Sequence, residues 1–392
     1  MARVLLVSPH YPPRLGGLER YAHRLATGLA GRHGHRVTVV TTGPGAAVSS
    51  EVADGLKVVS LPVRFRLSAT PFNPAWFAQL RRIIAEERPD VVNTHAPVVG
   101  LADVCLAVRG RVPAVATYHA GSMRKGPGGP AGADAAIAAY EATVLPALLR
   151  RAEAVVTTHP GRTAGGVAGH YVPPGVDTSV FRPDGPGRRQ PDLVLFAGRV
   201  EHASAWKGLA TLLEAVALVA GRHPSVRLVV AGGGDAVDHH RRMAGRLGIS
   251  DRVEFAGTLG PERLAAAYRS AAVAVLPSLT GAEAFGMVLI EAMACATPVV
   301  ASRVGGMPAV VADTGGGVLA EPGDPRSLAG AIGDLLADPG RARRLAASGL
   351  ERVRTNYRWE AVADAHHRLI EAVGARAPSL RRRDPIDDRR AG

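Results

Sequence analysis

Residues 3 to 42 read RVLLVSPHYPPRLGGLERYAHRLATGLAGRHGHRVTVVTT. RVLLVSP and RVTVVTT are short aliphatic runs of the kind that form strands buried on both faces. Between them, ERYAHRLATGLAGRHG carries its apolar residues at helical spacing. Strand, helix and strand in succession predict a βαβ unit and a parallel sheet. The alternation continues through PDVVNTH, PAVATYH and AEAVVTTH, then breaks at FRPDGPGRRQPD, residues 181 to 192, where Pro, Gly and charge replace periodicity. This stretch reads as an interdomain linker. Beyond it the pattern restarts with LVLFAGRV, a helix over KGLATLLEAVALVAGRHP, then VRLVVAGGGD, RVEFAGTL, AVAVLPS and TPVVAS. The expectation is two α/β domains, 1–184 and 185–360. A C-terminal helix over 361–376 is expected to cross back to the first domain, and a charged, Pro-containing tail over 377–392 to be disordered.

Composition agrees with this layout. A chain of 392 residues exceeds what one core usually supports, and its 4% aromatic content suits α/β layers better than an aromatic β-sandwich. Cys105 and Cys295 give neither a metal spacing nor a disulfide framework, which fits a reducing cytoplasm. The N-terminal apolar run is too short for a signal peptide, and no uncharged apolar stretch is long enough to span a membrane. The net charge is +13, nearly all of it from arginine, since Lys57, Lys125 and Lys207 are the only lysines. Such an excess favours anionic partners: nucleotides, nucleic acid or acidic lipid.

In open α/β sheets ligands bind beyond the carboxyl ends of the strands, so the chemistry is sought just after each strand. In GRVEHASAWKG (198–208), Arg199 and Lys207 follow a strand and lead into a helix, an arrangement that holds phosphate, although ordinary surface turns carry such cations too. In GAEAFGMVLIEA (281–292), Glu283 and Glu291 stand among apolar residues. Burying an unpaired carboxylate is costly, so each needs a partner. A helix starting near Phe285 would aim the free amides of Phe285, Gly286, Met287 and Val288 at an anion. Glu283 would then lie just before the helix, and Glu291 about two turns into it. Amides for a diphosphate and two acceptors for hydroxyls together describe a nucleotide sugar; a solvated Glu291 is the alternative. Gly16 and Gly17 follow the first strand and allow a ligand close to the backbone, as any βα loop might need. No GxGxxG fingerprint is present there, and AGGGD (231–235) lacks its spacing. His119, in TYHAG, ends a strand, where a histidine is often a polar cap and nothing more.

Taken in order, GGLER, TYHAG, VPPGVDTSVFRP, FAGRV with a following KG, VVAGGGD, FAGTL, EAFGMVLIEAMACATPVVASRVGG and GGVLAEPGDPRSLA resemble glycosyltransferase family 4 over the chain up to about residue 376. The resemblance implies a GT-B fold, two Rossmann-like domains facing each other across a cleft, and retaining transfer from a nucleotide sugar. It implies that Arg199 and Lys207 neutralise the donor diphosphate with help from the amides near Gly286 and Met287. Glu283 would bind donor-sugar hydroxyls, Glu291 the ribose, Leu259 would lie at the base-binding loop, Gly16 and Gly17 would close on the phosphates, and His119 would sit beside the reacting sugar. No cofactor or metal is required on this reading, and no D-x-D triplet occurs. The stretch EHASAW makes the Arg199 to Lys207 spacing longer than in many relatives.

On the acceptor side the candidates are Tyr11, Glu19, Arg124 and Lys125. Glu19 in GGLER is a poor neighbour for an anionic acceptor, so a carbohydrate, free or lipid-linked, is the expected acceptor. Phosphatidylinositol or inositol phosphate is the alternative, and a sugar-nucleotide epimerase a more distant one. RFRLSATPFNPAWFAQLRR (64–82) mixes arginines with Phe65, Trp76 and Phe77, a composition that suits an anionic membrane surface, although Trp76, Leu80 and Ile84 also have the spacing of a core-facing helix. The enzyme is therefore expected in the cytoplasm, with peripheral binding at the inner face of the membrane as an extension. A nucleic-acid-binding role would explain the charge but leaves Glu283, Glu291 and the glycine loops without a purpose.

Overall fold

In the computed structural model, the described residues are 1–13, 16–45, 47–67, 70–96, 100–119, 122–124, 132–161, 163 and 165–376. Lys125 and the tail from 377 lie outside them. The first half runs β1 (Arg3–Val7), α1 (Gly17–Gly31), β2 (Arg36–Gly43), β3 (Ser49–Ala53), β4 (Leu56–Pro62), β5 (Phe65–Leu67), β6 (Thr70–Phe72), α2 (Trp76–Glu87), β7 (Val91–Ala96), α3 (Leu101–Val108), β8 (Ala114–Tyr118), α4 (Ala133–Ala142), α5 (Val144–Leu149), β9 (Ala154–Thr157) and β10 (His170–Tyr171). The second runs β11 (Leu193–Ala197), α6 (Leu209–Ala220), β12 (Arg227–Ala231), α7 (Val237–Arg246), β13 (Val253–Gly257), α8 (Pro261–Ser270), β14 (Val273–Leu276), α9 (Met287–Ala294), β15 (Val299–Ser302), α10 (Met307–Thr314), β16 (Gly317–Ala320), α11 (Pro325–Ala337), α12 (Pro339–Asn356) and α13 (Trp359–Arg376).

The strands form two sheets. One has the order β10-β9-β8-β7-β1-β2-β4-β3 and is parallel except where β3 turns back on β4; the other is wholly parallel, in the order β13-β12-β11-β14-β15-β16. The apolar runs explain this arrangement: β1, β8 and β11 are buried almost throughout, which requires helices on both faces. In each sheet the chain leaves the first strand in both directions, so β1 lies between β2 and β7, and β11 between β12 and β14. A crevice opens at such switch points, at the carboxyl ends of the strands.

The stretch 181–192 is strapped to the second domain. Phe181 is buried in that domain's core, Arg189 donates to the carbonyls of Ala271 and Ala296 at 2.7 Å each, and Arg269 donates to those of Arg182 and Pro186. The chain crosses between domains earlier, near Val176, whose amide donates to the Tyr357 carbonyl on the returning segment. Beyond that point α13 lies on the first domain: Trp359, Val362, Ile370 and Val373 complete an apolar cluster with Val4, Leu6, Tyr21, Leu25 and Leu29. Trp76, read above with the membrane-facing aromatics, is wholly buried and donates to the Pro62 carbonyl at 2.9 Å, because its position on α2 faces the core.

The packing of α1 on α13 depends on a missing side chain. A Cβ on Gly28 would lie 2.8 Å from the Cβ of Ala363, whereas one on Gly31 would meet nothing within 4 Å. Gly28→Leu should therefore cost about 1–3 kcal/mol through overpacking, while Gly31→Ala should leave stability within about 1 kcal/mol of wild type. Denaturant unfolding of the two variants checks the contrast.

Candidate active site

Between the domains lies a cleft of about 330 Å³. Its second-domain wall is built from the turns after β11, β12 and β13, bringing Gly198, Arg199, Lys207, Gly232, Gly233, Thr258, Leu259 and Gly260 together with Met287, Val288 and Glu291 of α9. Gly16, Gly17 and Arg20, at the start of α1, form the opposite wall. The two walls touch: a Cβ on Gly17 would stand 3.2 Å from the Met287 sulfur.

Helix α9 starts at Met287, two residues later than the sequence suggested. Gly286 caps it with φ of 81°, in the left-handed region that favours glycine, and no side chain caps its first amides. Phe285 is not at the cleft: it is buried in the second-domain core with its ring 5.8 Å from that of Tyr357. The late start also places Glu291 fifth in the helix, just over one turn in, rather than two turns.

The structure corrects the expectation that a ligand alone satisfies the two carboxylates, because each has a protein cation. Lys207 Nζ donates to Glu283 Oε2 at 2.8 Å, with the two side chains only 15% and 13% exposed, and Nζ also stands over the Trp206 ring. Glu291, with its side chain 3% exposed, pairs with Arg20 of the other domain. The Tyr268 hydroxyl donates to Glu291 Oε2 at 3.4 Å. Burial pushes the Glu291 carboxyl above the usual carboxylate range, and Arg20 opposes that shift. Arg199 is exposed and makes no ion pair among the described residues.

Below the cleft, His119 belongs to an internal cluster and not to the cleft wall. Its Nε2 lies 2.9 Å from His95 Nδ1, and its ring packs edge-on against Tyr21, whose hydroxyl meets His366 Nε2 at 3.0 Å. Burial pushes His119 and His366 down to about 3, so both are neutral at pH 7. Tyr11 is buried with its hydroxyl 3.2 Å from His23 Nδ1, which makes it a core residue and not an acceptor contact. The Glu19 carboxylate folds back over Gly16.

Arg124 is exposed beside a second hollow of about 520 Å³, where Ser122, Arg124 and the first turns of α4 face Thr280 and Gly281 of the other domain. Glu141, which sequence reasoning missed, is buried and accepts hydrogen bonds from Ser122 Oγ and the Met123 amide, fixing this segment. Away from both hollows, His35, His367 and Glu371 are the described side chains close enough to share a metal. The His35 nitrogens there are engaged by the Ala2 amide at 3.1 Å and by His367 at 2.9 Å. No described helix is long and apolar enough to cross a membrane.

Comparison with known proteins divides the chain at the same crossover. Residues 15–180 match the family described as Glycosyltransferase Family 4, and residues 179–352 match Glycosyl transferases group 1. The chain is 30% identical to the phosphatidyl-myo-inositol mannosyltransferase of Mycolicibacterium smegmatis, over 95% of this chain and 94% of that protein. It is also 30% identical to a glycogen synthase of Mycobacterium tuberculosis, over 97% of each. Among solved structures, the sucrose-phosphate synthase from Thermosynechococcus elongatus aligns with a TM-score of 0.76 and 26% identity, over 96% of this chain and all of that one. The two Rossmann-like domains and their cleft are thus a GT-B fold.

Two outcomes follow from the site's electrostatics. Lys207→Ala leaves the largely buried Glu283 carboxylate without its cation and should cost about 1–3 kcal/mol; the double variant Lys207→Ala/Glu283→Ala should recover part of that loss in denaturant unfolding. His366 is neutral when folded but binds a proton near pH 6.5 when unfolded, so its contribution is present above that pH and is lost as pH falls toward about 3. At pH 5 the loss is about 2 kcal/mol, and unfolding midpoints between pH 7.5 and 5 should fall less steeply in His366→Gln.

Proposed function

The chain belongs to glycosyltransferase family 4, and from that premise we propose that it moves a hexosyl group, with retention, from a UDP- or GDP-sugar to a carbohydrate acceptor, free or lipid-linked. The observation that carries this reading is the cleft itself, which Arg199, Lys207, Met287, Val288 and Glu291 line together, with no side chain capping the first amides of α9. The cations and free amides suit a diphosphate, and the carboxylate suits ribose hydroxyls.

In the proposed reaction the bond between the anomeric carbon and the phosphate oxygen breaks, and its electron pair leaves with the diphosphate. Arg199, Lys207 and the amides of Met287 and Val288 stabilise that charge as it develops. The acceptor hydroxyl attacks from the face the diphosphate leaves, and its proton passes to the departing phosphate oxygen. Glu283, already fixed by Lys207, orients the donor sugar and is not a covalent nucleophile. His119, neutral and held by His95 in the internal cluster, supplies no charge to the reaction. All cations in this scheme are side chains, and no step is routed through a metal or cofactor.

A second reading gives the acceptor a phosphoinositol headgroup. It is favoured by the likeness to the phosphatidyl-myo-inositol mannosyltransferase and by Arg124 beside the second hollow. Phe65 and Phe77 are 51% and 44% exposed, with Arg64, Arg81 and Arg82 nearby, a surface suited to the cytoplasmic face of an anionic membrane.

Thermal unfolding with UDP or GDP, and with their sugars, tests the donor site. One nucleotide should stabilise the wild type by about 2.7 kcal/mol at a hundredfold excess over Kd, and Glu291→Ala should abolish the shift. No stabilisation by any of them would refute the proposed donor site. With the donor known, transfer to soluble oligosaccharide or to phosphatidylinositol vesicles, with the anomeric configuration read by NMR, decides between the two acceptors.

A further inference from the structure

Arg20 has no part in the reaction as written above, yet it carries the first domain into the donor cleft. It is the fourth residue of α1; Arg24, one turn on, pairs with Asp177 near the domain crossover. A cation in the first turn of a helix opposes the macrodipole, so the helix itself gives no reason for Arg20. What it reaches does. Arg20 and Arg24 lie on one face of α1, the first pairing with Glu291 of the other domain and the second with Asp177 at the crossover.

The Arg20 side chain remains 41% exposed and borders the cleft, while the Glu291 side chain is almost fully enclosed. Arg20 engages Glu291 Oε1 and the Tyr268 hydroxyl engages Oε2, which leaves acceptor capacity on both oxygens. The titratable groups facing this carboxylate are Arg20 from α1, Tyr268 from α8 and the Cys295 thiol at the end of α9. Burial holds the tyrosine well above its ordinary value and pushes the thiol up to about 12, so neither changes charge near neutrality. Arg20 is the cation among these groups.

We propose that Arg20 is a positioning residue for donor recognition: supplied by the acceptor-side domain, it holds Glu291 as a charged and aimed acceptor for the donor's hydroxyls. The inference rests on the reading of Glu291 as a donor contact. Hydrogen bonds to a charged carboxylate are roughly twice as strong as those to a neutral group. An enzyme whose domains separate takes the cation away from Glu291, so nucleotide binding and closure become one event.

Calorimetric titration tests this with whichever of UDP and GDP stabilises the wild type, at pH 6, 7 and 8. Affinities are read as ratios to wild type so that titration of the nucleotide's own phosphate cancels. Arg20→Ala should bind at least tenfold more weakly at pH 6, and its deficit should shrink as pH rises, because burial holds the Glu291 carboxyl up and Arg20 no longer opposes that shift. Arg20→Lys should lie between the two. Arg24→Ala, which breaks the neighbouring interdomain pair without touching Glu291, should keep the wild-type pH profile. Unchanged or tighter binding by Arg20→Ala would show that Arg20 only competes for Glu291. A loss equal at all three pH values, or the same pH profile in Arg24→Ala, would reduce Arg20 to a general closure contact. Each of these outcomes overturns the proposal. A wild type that binds neither nucleotide fails at the earlier step and removes the donor reading itself.

Discussion

An ionised carboxylate taken out of water must meet positive charge or surrender its own. In this molecule two carboxylates meet that demand in different ways. Glu283 finds Lys207 within its own domain, at the end of the short 3-10 helix His202–Lys207 between β11 and α6, so the pair forms as soon as that domain folds. Glu291 finds Arg20, which belongs to the other domain. The second solution exists only while the domains are together, as they are here. Arg24 reaches Asp177, the outgoing and returning segments hydrogen-bond at Val176 and Tyr357, and the stretch after Phe181 is tied to the second domain by Arg189 and Arg269.

Topology decides where this chemistry can happen. Parallel strands joined by helices bring every βα turn to one edge of a sheet, and two such edges meet here. Arg199 after β11, Leu259 after β13 and Gly17 after β1 are distant in sequence, yet all border one cleft because each follows the carboxyl end of a strand. The N-terminus of α9 faces the same space, uncapped by any side chain.

Much of this was legible in the sequence, and the limits have physical causes. Long aliphatic runs such as RVLLV and LVLFA identify strands because burial on both faces leaves little room for polar residues. β10, which has only two residues, and β3, which is largely exposed, impose no pattern on the sequence. The turns that carry Arg199, Lys207 and Leu259 followed from the strands they end. Partnership did not: Arg20 and Glu291 are separated by 271 positions, and no periodicity links them. A clue was nevertheless present in Arg20, a cation in the first turn of a helix, where the dipole disfavours it. Tyr11 lies in the core because an aromatic residue beside a functional loop serves the core as readily as a ligand, whereas the core spacing of Trp76 and Leu80 agrees with their full burial.

Helix α13 brings the chain back to the first domain. Its Trp359, Val362, Ile370 and Val373 cover the same cluster as Val4, Leu6, Leu25 and Leu29, and Gly28 lets it sit against α1. For a chain made from its N-terminus onward, this has a cost in time. The first domain is synthesised some two hundred residues before the helix that seals it, and during that interval an apolar face stays open to water and to other chains. A helix made long after the first domain is therefore the one that completes that domain's core.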